Sequence, residues 1–102
     1  LTVQTIIADV SYNGTTIAVL NGPSIGYIER VSQGVFRLDF VPQDQFLSAH
    51  YAVVVTPSYT AGGAGLIAAV TWQDATSVRV EFFRRDNGQY DDPMRFSLIA
   101  MG

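Results

Sequence analysis

The chain has 102 residues and a formal charge of -3, from six Arg, no Lys and nine acids. That is one domain's length, and the acidic balance argues against nucleic acid as a partner, because phosphate binding needs a basic face. The absence of Cys removes disulfides, thiolate metal sites and thiol catalysis. No apolar run approaches the ~20 residues of a membrane-spanning helix, so no membrane insertion is expected.

The chain starts at Leu1 without an initiator Met and reads as a piece cut from a longer protein. Val, Ile and Thr make up 27 of the 102 residues, while Glu and Lys together number two. Such a chain favours strands over helices. Alternation and turn punctuation predict about eight strands in a single domain.

The first two candidates, residues 3–10 and 15–20, are joined through Asn13-Gly14, which reads as a tight hairpin turn with positive φ. Pro23 then breaks the chain. Residues 26–32 and 35–41 follow, joined across Gln33-Gly34, with Phe36, Leu38 and Phe40 on one face and Arg37 and Asp39 on the other. Residues 42–48 read as a connection anchored by Phe46, and 50–56 as a short apolar strand ending at Pro57. The glycine-rich segment 58–65 is the loosest in the chain. Residues 66–72 form the next strand. Residues 77–85 place Val78, Val80 and Phe82 inward against Arg79, Glu81 and Phe83 outward, and 94–101 form the last strand. Short strands at this spacing predict an all-β antiparallel sandwich or jelly roll.

Catalytic patterns are lacking. His50 is the only His, and no nucleophile elbow surrounds the nearby Ser48. No pair of carboxylates is singled out for glycoside hydrolysis. The loop 86–92 is dense in oxygen ligands. Asp86, Asn87, Asp91 and Asp92 are candidate calcium ligands, although their spacing is not that of an EF-hand and ordinary turn chemistry also accounts for them. No other cofactor is expected.

Tyr59, Trp72 and Tyr90 are aromatics outside the predicted core, with Arg84 and Arg85 nearby. An aromatic face flanked by polar groups is suited to holding a sugar ring, so these five are the candidate ligand-binding residues. For Trp72, capping the core or lying in an interface is the competing assignment.

Several elements together carry a resemblance: Arg30, the run Gly34-Val35-Phe36-Arg37-Leu38-Asp39-Phe40, Phe46, residues 51–56, Ser77-Val78-Arg79-Val80, and residues 92–102 ending at Gly102. Over residues 26–102 the chain resembles the C-terminal receptor-binding domain of bacteriophage tail fibres, similar in turn to complement-globular-head and tumour-necrosis-factor-like jelly rolls. The resemblance implies a homotrimer at the distal tip of a virion fibre, outside the host cell. It would recognise a host cell-surface polysaccharide or protein receptor without catalysis. Residues 1–22 would be a hairpin joining an upstream shaft, and Gly102 the natural end. Ala52, Val54, Ala68 and Val70 are expected near the threefold axis, with loops 57–65 and 86–92 facing the ligand. The alternatives are a structural trimerisation and capping module, or a carbohydrate-binding module of a secreted enzyme.

Overall fold

The computed structural model describes residues 5–41, 51–58 and 65–102, and every regular element in them is a β-strand. The strands are β1 (Thr5–Tyr12), β2 (Ile17–Asn21), β3 (Ile25–Ser32), β4 (Val35–Phe40), β5 (Ala52–Pro57), β6 (Leu66–Gln73), β7 (Ser77–Arg84) and β8 (Arg95–Met101). They form two four-stranded antiparallel sheets, ordered β2-β1-β8-β5 and β3-β4-β7-β6. The result is the β-sandwich that the alternation predicts.

The core comes from the inner strands of each sheet. Ile6, Ala8 and Val10 of β1 and Phe96, Leu98 and Ala100 of β8 face Phe36, Leu38 and Phe40 of β4 and Val78, Val80 and Phe82 of β7. All twelve are essentially inaccessible to solvent, and each set lies at every second residue, as a pleated strand requires. The edge strands β2, β3, β5 and β6 are only partly buried, each being hydrogen-bonded to a sheet neighbour on one side alone.

Two expectations need correction. The β1–β2 turn is not a two-residue hairpin with paired positive φ: only Gly14 has positive φ. The Asn13 side-chain oxygen accepts the amides of Thr15 and Thr16 at 2.9 and 2.7 Å, which delays β2 to Ile17. Within the first hairpin, β1 pairs with β8 from Thr5↔Met101 to Ser11↔Arg95 and contributes to the core. The four residues expected near a threefold axis do not share a face. Ala52 and Val54 are exposed on the outside of the first sheet, whereas Ala68 and Val70 pack against the core opposite Phe82 and Val80. The connection 42–48, with Ser48 and His50, lies outside the described residues.

One end of the sandwich is closed by Tyr51. Its buried hydroxyl donates to the carbonyls of Asp74 and Ser77 at 2.6 and 3.1 Å, and its ring meets Phe40 edge-on at 6.0 Å. The Asp74 carboxylate holds the same β6–β7 turn by accepting the amides of Thr76 and Ser77, each at 2.8 Å. Burial, together with the Asp74 charge, pushes the Tyr51 hydroxyl up to about 12. An unfolded tyrosine ionises near 10. The folded state therefore keeps a proton that the unfolded chain loses. This contribution is complete below pH 10 and is lost as pH rises through about 12. Urea unfolding of wild type and Tyr51→Phe across this window should show the wild type losing on the order of 2 kcal/mol more stability than the variant. Parallel pH profiles would contradict this assignment.

Candidate functional site

The outer face of the second sheet carries one row of side chains crossing all four strands. Glu29 of β3 pairs with Arg37 of β4, Arg37 with Arg79 of β7, and Arg79 with Trp72 of β6. Each of the first three follows from alternation: Arg37 sits between buried Phe36 and Leu38, and Arg79 between buried Val78 and Val80. Trp72 does not follow from it. In β6, Ala68 and Val70 face inward, and an unbroken strand would send Trp72 inward as well. The register shifts between Val70 and Trp72, so this bulge puts Trp72 opposite Arg79, where it is 48% exposed.

Glu29, Val31, Arg37, Arg79 and Trp72 line an open groove of about 330 Å³. Three inter-strand spacings of about 4.8 Å make the row roughly 14 Å long, more than a single sugar ring. Trp72 supplies a flat apolar surface, the two guanidinium groups supply donors, and Glu29 supplies an acceptor. Tyr27, itself half exposed, donates its hydroxyl to Glu29 at 3.2 Å and flanks the Glu29 end.

The five candidate ligand residues separate. Trp72 is in the groove. Tyr90 is on the same face beyond it: its ring stacks at 4.8 Å on Phe83, and its hydroxyl donates to Glu81 at 2.6 Å. Hydrogen bonds from Thr71 and Tyr90 hold the Glu81 carboxyl below its usual range. Arg84 shares the inward parity of Phe82 and is engaged by Asp86 at 2.8 Å and Asp91 at 3.6 Å. Arg85 is exposed beside Gly65, away from the groove lining. Tyr59 lies outside the described residues.

The candidate calcium ligands Asp86, Asn87, Asp91 and Asp92 all have partners within the chain. Asp86 accepts a two-bond fork from Arg84, and the Asn87 side chain accepts the Gln89 amide. Asp92 accepts a fork from Arg30 at 3.0 and 2.8 Å and the Gly34 amide at 2.8 Å. The described residues contain no cluster of three or more His, Cys, Asp or Glu suited to a metal ion. The loop's carboxylates organise the β3–β4 turn and the end of β7. The residues Arg30, Gly34 and Asp92, far apart in the resemblance, meet at this structural corner.

Glu29, Arg37 and Arg79 escaped the sequence reading as site residues. Their only signal was an outward charged position on each of three strands, which is also how an ordinary solvated face reads.

The fold and groove define a class, an all-β sandwich with an open groove lined by aromatic and charged side chains on one face. Comparison of the chain with known protein families, curated proteins and solved structures finds no match.

Proposed function

We propose that this domain is a non-catalytic attachment module that binds a surface glycan through the outer face of β3-β4-β7-β6. The observation that carries the reading is the row Glu29–Arg37–Arg79–Trp72. A sugar ring has an apolar face for the indole and hydroxyls for the guanidinium and carboxylate groups, so each part of the row has a complementary partner. The resemblance to tail-fibre tips supplies the biological setting: a host polysaccharide outside the cell, approached by a virion.

Trp72→Ala should weaken glycan binding at least tenfold, equivalent to about 1.4 kcal/mol. It should leave the melting temperature nearly unchanged, because the side chain is half exposed. A glycan array probed with wild type and variant checks this; equal binding would refute Trp72 as the platform.

In this reading the opposite face joins copies of the chain. Ile7, Ile99 and Val54 form one outward row across β1, β8 and β5, at 53, 44 and 61% exposure, with Met101 beside them at 48%. A contiguous exposed apolar row of this kind is a feature of interaction surfaces. Three such tips would also raise avidity for weak sugar sites. Light scattering should give three times the 11.1 kDa chain mass, and a single-chain mass would overturn the trimer.

A further inference from the structure

We infer that the glycan recognised in this groove is acidic, with a carboxylate-bearing sugar seated on Trp72 and its acid group held between Arg37 and Arg79. The inference rests on the sugar-binding reading above and specifies its ligand.

Arg37 and Arg79 are direct register partners on the same face of adjacent strands. Side chains so placed leave their Cβ atoms roughly 5 Å apart, and like charges there destabilise a sheet. The other ion-paired arginines are used differently. Arg30, Arg84 and Arg95 each close a two-bond fork on a carboxylate, from Asp92, Asp86 and Asp9 respectively. Arg37 makes only one such contact, from its Nε to Asp39 at 3.1 Å, and its terminal nitrogens have no hydrogen-bond partner among the described residues. Arg79 has no carboxylate within ion-pair distance among the described residues. In a chain with more acids than bases, two neighbouring guanidinium groups with unused donors are set up to receive an anion.

The row also orients that anion. Trp72 lies next to Arg79, so a ring stacked on the indole brings its exocyclic acid group over the arginine pair. Glu29 stands at the opposite end, where it repels a carboxylate and accepts sugar hydroxyls. The sugar thus has one favourable direction along the groove.

The test uses oligogalacturonate, oligomannuronate and sialyllactose, each beside its carboxyl-reduced counterpart or, for sialyllactose, lactose. Binding to the intact domain is measured at low and high salt. An acid probe should bind at least tenfold more tightly than its neutral counterpart and lose that advantage as salt rises. Arg79→Gln should abolish the acid preference, so that each acid probe binds no more tightly than its neutral counterpart. Arg79→Lys should restore only part of it, because an ammonium group cannot form the fork. Acid and neutral probes binding equally, with both lost in Trp72→Ala, would overturn the acidic assignment and leave sugar binding standing. Neither kind of probe binding would overturn both.

Discussion

Gly34→Ala should lower stability by about 2–4 kcal/mol, or roughly 10–25 °C in melting temperature for a domain of this size. Gly34 has φ of +75°, and an added Cβ would lie 2.7 Å from the Phe82 carbonyl oxygen and 3.0 Å from the Asp91 amide nitrogen. The backbone cannot move aside easily. The Gly34 amide donates to Asp92 at 2.8 Å, and its carbonyl accepts the Phe82 amide, also at 2.8 Å. Gly88 is the internal control, with φ of +70° and nothing within 4 Å of an added Cβ. Gly88→Ala carries only the positive-φ penalty and should cost about 1 kcal/mol. Thermal unfolding followed by circular dichroism compares the two, and equal losses would show that the packing around Gly34 is not what makes it necessary.

Phe36→Ala should cost about 3–5 kcal/mol, a large share of the 5–15 kcal/mol by which a domain is ordinarily stable. The ring is fully buried and touches three others, with centroids 5.8 Å from Tyr12, 5.9 Å from Phe82 and 5.5 Å from Phe96. Tyr12 and Phe96 belong to the first sheet and Phe82 to the second, so Phe36 sits where the two sheets meet. Removing it leaves a cavity that neither sheet can fill without losing register. The corresponding truncation of exposed Tyr27 should stay within about 0.5 kcal/mol. Chemical denaturation gives both values, and a loss below about 2 kcal/mol for Phe36→Ala would mean the sheets close over the gap. Since Arg37 follows Phe36 directly, the variant also separates fold from site: the fraction that remains folded should bind glycan with unchanged affinity.

The strand content and the two best core faces were legible because alternation is a local property. Spacing alone puts Phe36, Leu38 and Phe40 on one face and Val78, Val80 and Phe82 inward, and all are buried. The oxygen-rich loop 86–92 shows the limit of local reading. Its composition suits a cation, and nothing local in it foretells that Asp92 pairs with Arg30, 62 residues earlier in the chain. Asn13-Gly14 shows a smaller version, where a side-chain acceptor outcompeted the tight turn that the dipeptide suggests.

By itself, the sequence determined an all-β fold without cysteine and identified which faces of its central strands are apolar. Only the tertiary structure decided the candidate site. Glu29, Arg37, Arg79 and Trp72 come from four strands, and their alignment depends on three pairing registers and one bulge. A one-residue slip in any of those pairings would turn that strand's outward residues toward the core. Alternation says which way a side chain points along its own strand, whereas long-range pairing and packing decide which side chains stand beside it.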